Sequence, residues 1–396
     1  MVKSSRPRIL TFVSYYLPGY KAGGPIRTIA NMVDHLSDEF EFWIVTRDRD
    51  LGDTEAYSNI VANEWQARGN EYIFYVQKGR ESVSFFRKLI RETPHDILYL
   101  NSFFDIGYTV KPLLGWHLSS AYVQRPLIVA PRGELSPSAL RLKIVKKKFW
   151  LLFSNILRLY NKAIFQASSE FERSDISRAL CIPCNRIRIA IDLPVLASLY
   201  CSKYEYVTNA NACVSRENLN IVFLSRIAPV KNLRFAIKIL GMVKRKVQFD
   251  IYGPIEDASY WAACKSAIAA LPSNIAVFYK GAIFPEETRP TFARYDLFLF
   301  PTQGENYGHV IAESVSVGTP VLVSDQTPWR NLEVDGLGWD IALDSDSTFV
   351  DKIDSFPQLD DGSRRTRREA ILQNAAKRIE NPETILANRE LFRSCL

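Results

Sequence analysis

Cysteine is scarce here and badly spaced for a metal. The chain has 396 residues and six cysteines, at Cys181, Cys184, Cys201, Cys213, Cys264 and Cys395. Only Cys181 and Cys184 form a Cys-x-x-Cys pair, and no second pair or nearby histidine supplies the further ligands of a zinc site. Free thiols in a reducing compartment are therefore expected. Histidine is scarcer still, and His35, His95, His117 and His309 form no ligand cluster. No apolar run reaches the ~20 residues needed to span a bilayer. Near the start, Lys3, Arg6 and Arg8 precede an apolar stretch at 9–17. Ser14, Tyr15 and Tyr16 break it, and no small-x-small cleavage site follows, so it reads as a buried first strand rather than a leader. A cytoplasmic protein is expected. No short-period repeat and no low-complexity tract appears, and no Gly-x-Gly-x-x-Gly motif announces a dinucleotide.

What is present is ordinary soluble composition in quantity enough for two cores. Hydrophobic residues make up 47% and charged residues 23%, and this length is natural for two domains. The net charge of +7 suits an anionic ligand or an anionic membrane surface, but is too diffuse for nucleic acid. Short apolar runs alternate with helical stretches, the pattern of parallel α/β units. Strands are predicted at 8–13, 40–46, 72–76, 97–100 and 127–130, with helices at 25–36, 82–91, 106–118 and 138–159. Around 192–218 the pattern dissolves. It restarts with strands at 220–224, 247–252, 275–279, 297–300 and 320–324, and with helices at 232–243, 257–270, 308–317, 363–379 and 382–394. This divides the chain into a first Rossmann-like domain at 1–197, a linker at 198–218 and a second Rossmann-like domain at 219–380. A closing helix at 381–396 is a candidate to pack back on the first domain. Two Rossmann-like halves in tandem imply two sheet edges facing across a cleft, each able to bind a ligand at the carboxyl ends of its strands.

The richest segment is 301–329, which runs strand, glycine-bracketed loop, helix and strand. Gly304 and Gly308 let the backbone come close to a ligand. The loop delivers free amides at a helix start, which favours a diphosphate. Glu305 lies on the loop and Glu313 inside the helix. A carboxylate accepts hydrogen bonds in pairs and so suits vicinal hydroxyls of a ribose or hexose. The Glu-x7-Glu spacing, set in Gly-Glu-Asn-Tyr-Gly-His-Val and followed by Gly-Thr-Pro-Val, resembles the family 4 retaining glycosyltransferases of the GT-B type. That resemblance implies that Glu313 holds the ribose and Glu305 contacts the transferred sugar. It also implies that Asn306, Tyr307, Gly308, His309 and Val310 hold sugar and phosphate through their amides.

Other segments fit the same picture. Arg226 and Lys231 stand on the turn after a strand, where two cations can neutralise the charge on a leaving diphosphate. They match the family's Arg/Lys pair. Gly23-Gly24-Pro25 after the first strand resembles the family's loop over donor phosphate and sugar, with proline suited to a first helical turn. Gly253 and Gly281 end two strands where relatives line the base pocket. Arg132, in 130–137, stands near where many relatives carry a histidine. It binds the donor phosphate or an anionic acceptor, or else pairs with Glu134. No Asp-x-Asp motif occurs in the donor region, so no metal or other cofactor is expected, and Arg226 and Lys231 take its place.

On the acceptor side, 140–160 mixes Arg141, Lys143, Lys146, Lys147, Lys148 and Arg158 with Phe149, Trp150, Leu151, Leu152, Phe153, Ile156 and Leu157. It reads either as an amphipathic helix lying on an anionic bilayer, where lipid-linked acceptors reside, or as a core helix with a solvated basic face. The expected activity is transfer of a sugar from a nucleotide-diphospho-sugar to a hydroxyl of a glycan or lipid-linked acceptor, with retained configuration. Bacterial surface polysaccharide such as O-antigen is the expected product class. The alternatives are a sugar-nucleotide epimerase of the same fold and a non-catalytic membrane-associated glycan-binding protein.

Overall fold

In the computed structural model, residues 6–119, 125–141, 144–195, 218–379 and 381–396 are described. The expected linker at 198–218 lies outside them except for Asn218. The chain divides into two compact units, Met1–Leu196 with Pro382–Leu396, and Ala197–Asn381.

The first unit is built on an eight-stranded sheet. Its strands are β1 (Arg8–Phe12), β2 (Glu41–Arg47), β3 (Trp65–Arg68), β4 (Glu71–Val76), β5 (Ile97–Leu100), β6 (Leu127–Val129), β7 (Ala163–Ala167) and β8 (Ile187–Ile189). They run in the order β3-β4-β2-β1-β5-β6-β7-β8. All pairs are parallel except β3 with β4. Strands such as Ile-Leu-Tyr-Leu in β5 are buried on both faces, as a parallel sheet covered by helices requires. Side chains alternate between faces, so Leu98 and Leu100 enter one core cluster while Ile97 and Tyr99 enter another. The helices are α1 (Gly24–Leu36), α2 (Val83–Glu92), α3 (Lys111–Ser119), α4 (Pro137–Arg141), α5 (Ile144–Ile156) and α6 (Glu170–Leu180).

The second unit has a fully parallel six-stranded sheet of β9 (Leu219–Leu224), β10 (Val247–Tyr252), β11 (Ile275–Gly281), β12 (Leu297–Phe300), β13 (Val321–Ser324) and β14 (Gly338–Ile341). The order is β11-β10-β9-β12-β13-β14. Its helices are α7 (Leu233–Leu240), α8 (Ala258–Ala269), α9 (Pro285–Phe292), α10 (His309–Val315), α11 (Asp346–Asp354) and α12 (Asp361–Ile379).

The helix α13 (Pro382–Arg393) belongs to the first unit. Phe392 is fully buried there, with ring centroids 5.4 Å from Phe40, 6.3 Å from Phe42 and 5.8 Å from Tyr99. Asn388 Nδ2 donates to the Ile191 carbonyl at 2.8 Å, and Arg389 and Arg393 pair with Asp38 and Glu39. Among the described residues, no helix is long and apolar enough to cross a membrane, and no group of three or more His, Cys, Asp or Glu side chains could hold a metal ion. Cys181, Cys184, Cys264 and Cys395 are free thiols.

Candidate functional site

Because the second sheet is parallel throughout, every loop that leaves a carboxyl end emerges at the same edge. The loop after β9 carries Arg226 and Lys231. Gly253 follows β10, Gly281 closes β11, and 301–308 follows β12. The sequence-predicted residues of this unit thus share one edge of one sheet.

Two of these loops are tied together at their base. The Gln303 amide donates to the Val230 carbonyl at 2.8 Å, and Asn232 Nδ2 donates to the Pro301 carbonyl at 3.0 Å. Thr302 lies fully buried, its hydroxyl 3.0 Å from the Val230 carbonyl. The loop after β13 joins them. The Glu305 amide donates to the Gln326 carbonyl at 3.1 Å, and the Ser324 hydroxyl donates to the Thr302 carbonyl. Trp329 closes the far end, donating from Nε1 to the Tyr307 carbonyl at 2.7 Å.

On this frame the side chains of Lys231 and Glu305 form an ion pair. Both are largely shielded, with side-chain exposures of 13% and 14%. The Phe300 ring lies under the ammonium at 5.6 Å, an arrangement that favours positive charge over the ring face. Lys231 precedes Asn232, which adopts the left-handed conformation at φ 60° and starts α7. Gly308 adopts it at φ 82° and starts α10. A side chain on Gly308 would meet Ile311 and the Trp329 ring at 3.0 and 3.3 Å, so glycine is required by both conformation and space. Tyr307 and His309 rings are 4.7 Å apart. Glu313 is buried, at 7% exposure, on the fifth position of α10. Asn306 and Val310 flank the helix start.

Arg226 takes a different partner, Glu256, in the loop after β10. The loops after β9 and β10 also join through their backbone. The Ile227 amide donates to the Pro254 carbonyl at 2.8 Å, and the Ser225 amide to the Tyr252 carbonyl at 3.0 Å. This explains Gly253. At φ 135° an added Cβ would lie 1.9 Å from the Ser225 carbonyl oxygen. Glycine is needed here because a neighbouring strand turn passes so close. Gly281, at φ 82°, is unobstructed.

In the first unit, Gly23 and Gly24 lie between β1 and α1. Gly23 has φ 68° and caps the helix, and a Cβ at either position would meet nothing within 4 Å. Arg132, after β6, does not pair with Glu134. Its Nε donates to Asn101 Oδ1 at 2.8 Å, its Nη2 to the Tyr99 hydroxyl at 2.5 Å, and its Nη1 to Asp192. The Tyr99 hydroxyl in turn donates to Gln166 Oε1 at 2.6 Å, and Thr28 donates to Asp192 at 2.9 Å. Burial opposes the Arg132 charge, but Asp192 and Tyr99 hold its pKa above the ordinary value. Glu134 instead accepts from the Phe103 and Phe104 amides at 2.8 Å. Glu172 receives the Gly133 amide at 2.5 Å. Burial raises the pKa of both carboxyls. Arg132 is thus the centre of a buried network joining the ends of β5, β6, β7 and β8.

Sequence reasoning missed the supports: Thr302, Ser324 and Trp329 in the second unit, Glu256 opposite Arg226, and Asp192 and Tyr99 around Arg132. Gly-Thr-Pro-Val and Ser-Asp-Gln-Thr-Pro-Trp mark a second loop next to the first. Nothing local marks Asp192 as the partner of a residue 60 positions away.

Residues 218–356 match the family described as Glycosyl transferases group 1. No curated protein sequence matches the chain. Among solved structures, the chain is similar to Anabaena HepE in complex with UDP and glucose, at 14% identity and TM-score 0.68 over 98% of this chain and 99% of that one. It is similar to sucrose-phosphate synthase of Thermosynechococcus elongatus, at 13% identity and TM-score 0.72 over 98% and 99%. It is similar also to WaaG, a glycosyltransferase involved in lipopolysaccharide biosynthesis, at 12% identity and TM-score 0.65 over 98% and 99%. Nearly the whole chain thus shares the α/β GT-B fold of these structures, and its second unit carries the match to Glycosyl transferases group 1.

Proposed function

We propose that this protein is a retaining glycosyltransferase resembling family 4. It moves a hexosyl group from a nucleotide-diphospho-sugar to a hydroxyl of a glycan or lipid-linked acceptor. The observation that carries this reading is the shielded Lys231–Glu305 pair, beside the Gly308-capped helix, at the carboxyl edge of the second sheet. A cation and a carboxylate held side by side suit a ligand that offers a phosphate next to a hydroxylated ring. When donor binds, Lys231 turns its charge to the diphosphate, and Glu305 accepts from sugar hydroxyls in place of the ammonium. Glu313 receives the ribose hydroxyls. Departure of the nucleoside diphosphate is assisted by Lys231 and Arg226, which stabilise negative charge as it develops. The acceptor hydroxyl attacks the anomeric carbon from the same face, as the bond to the diphosphate breaks, and its proton passes to the departing diphosphate oxygen. No cofactor takes part in this scheme, because the two cations supply the positive charge.

HepE binds UDP and glucose, and WaaG acts in lipopolysaccharide biosynthesis. By analogy we place this protein on the cytoplasmic side, in synthesis of a surface polysaccharide such as O-antigen.

The test is a melting-temperature screen against UDP-, GDP-, ADP- and dTDP-sugars, followed by transfer and donor-hydrolysis assays. A ligand at a hundred times its Kd stabilises by about 2.7 kcal/mol. One nucleotide series should raise Tm, and Glu305→Ala should abolish turnover. Absence of stabilisation by every sugar nucleotide, together with absence of hydrolysis, would overturn the reading.

A further inference from the structure

The helix α5 turns its apolar side chains outward. Val145, Phe149, Leu152 and Ile156 are spaced i, i+4, i+7 and i+11, which places them in one stripe. Their exposures are 77%, 69%, 61% and 68%. Phe153 and Leu157 widen the stripe and are also exposed. The opposite face makes the contact with the protein. Ser154 is buried, and Trp150 and Leu151 pack against the core of the first unit. Ser154 bonds to the Leu151 carbonyl at 3.1 Å. Lys147, on that inner side, donates to the Ala139 carbonyl at 2.8 Å, with its ammonium 4.8 Å from the Phe104 ring centroid. At 100° per residue, Lys148 falls on one flank of the stripe and Lys146 on the other, both exposed. The α5 reading as a core helix with a basic outer face therefore fails. Its outer face is apolar with basic margins.

Charge decides what covers it. Between Glu134 and Glu170 the sequence contains no acidic residue, and it contains Arg141, Lys143, Lys146, Lys147, Lys148, Arg158 and Lys162. A protein partner able to match an apolar stripe usually brings a polar rim of mixed sign. Exposed aromatic and aliphatic side chains flanked on their own helix by basic residues alone match a surface that is apolar below and anionic above.

We propose that α5 seats this protein on an anionic phospholipid bilayer. The helix lies in the plane of the interface, with Val145, Phe149, Leu152 and Ile156 below the headgroups and Lys146 and Lys148 among the phosphates. The proposal stands on α5 alone and does not depend on the sugar-transfer reading. Taken together, the two readings put a lipid-linked acceptor within the same plane as the first unit.

The experiment is co-sedimentation of the full chain with phosphatidylcholine vesicles and with vesicles of phosphatidylcholine mixed with phosphatidylglycerol. Binding is expected only to the mixed vesicles and should weaken as salt is added, because screening shortens the reach of the cations. Each cation near the surface strengthens partitioning by about fivefold. K146E with K148E should therefore weaken binding by at least about twenty-five-fold. F149S with L152S should also release the protein, with Tm and donor hydrolysis unchanged because the stripe faces solvent. Failure of the full chain to pellet with mixed vesicles would overturn the proposal. So would equal pelleting of the stripe variant, or a wild-type dimer in light scattering that F149S with L152S converts to monomer, which would mark the stripe as a self-association surface. Donor hydrolysis is read in parallel, so loss of membrane binding and loss of catalysis are distinguished.

Discussion

Replacing Glu71 by glutamine should make the stability of the first unit less sensitive to pH. Glu71 opens β4, is 6% exposed, and accepts the Tyr16 hydroxyl at 2.5 Å. Burial pushes its carboxyl up from 4.5 to about 7, with the Tyr16 hydrogen bond and Arg68 pulling the other way. In the unfolded chain it returns to the ordinary value. Between these two values the native state binds more protons than the unfolded state, so stability falls as pH rises through that window and levels off above it. A shift from 4.5 to about 7 corresponds to a total loss of about 3 kcal/mol, of which about 2.5 kcal/mol falls between about pH 5 and about pH 8. Glutamine is neutral throughout, keeps an oxygen for the Tyr16 hydroxyl, and escapes the loss. The assay is urea unfolding of wild type and Glu71→Gln at both pH values, comparing the first transition. The variant should gain on the wild type by about 2.5 kcal/mol between the two conditions. All other titrating groups cancel in that difference. If the two proteins keep the same gap at both pH values, Glu71 is ionised in the native state and the reasoning fails.

Other outcomes follow from the same structure. Arg132→Ala leaves Asp192 buried without its cation and should cost about 3–5 kcal/mol in urea unfolding, a loss that a ligand-contact role alone would not produce. Gly253→Ala brings a Cβ to within 1.9 Å of the Ser225 oxygen. The turn carrying Arg226 must then move by about 1 Å, which should lower kcat/KM about a hundredfold. If Lys231 stabilises the departing diphosphate as proposed, Lys231→Met should lower kcat by about 10²–10³, measured by product release at saturating donor. In Glu305→Gln the nucleoside diphosphate alone should still raise Tm, whereas the added effect of the sugar should shrink.

Much of the second unit was legible because its strands are apolar on both faces. Leu-Asn-Ile-Val-Phe-Leu in β9 and Leu-Phe-Leu-Phe in β12 show a buried parallel strand without any help from context. Short or half-exposed strands escaped. Trp-Gln-Ala-Arg in β3 is half exposed, and Gly-Trp-Asp-Ile in β14 and Ile-Arg-Ile in β8 are short and mixed. They become strands because a neighbour supplies the hydrogen-bond ladder. The stretch read as one helix at 138–159 contains the two helices α4 and α5. Motif spacing singled out Lys231 and Glu305 separately, but nothing in a linear reading joins residues 74 positions apart into an ion pair. Gly253 was read as ending a strand where relatives line the base pocket; why it must be glycine shows only in the fold, where the backbone at Ser225 passes close by. Arg132 was read from its place at a strand end, where polar residues often meet ligands. Its partners come from β5 and from beyond β8, and only the folded sheet brings them together.

The seating of Phe392 sets an order on biosynthesis. With Leu391, its ring closes a cluster whose other buried members come from the first 193 residues, against Phe40, Phe42 and Tyr99. A nascent chain therefore cannot finish that cluster when its own strands have emerged; it must wait while the whole of Ala197–Asn381 is synthesised. During that interval the second unit is free to fold first, and the earlier-made part stands with a gap where an aromatic ring belongs.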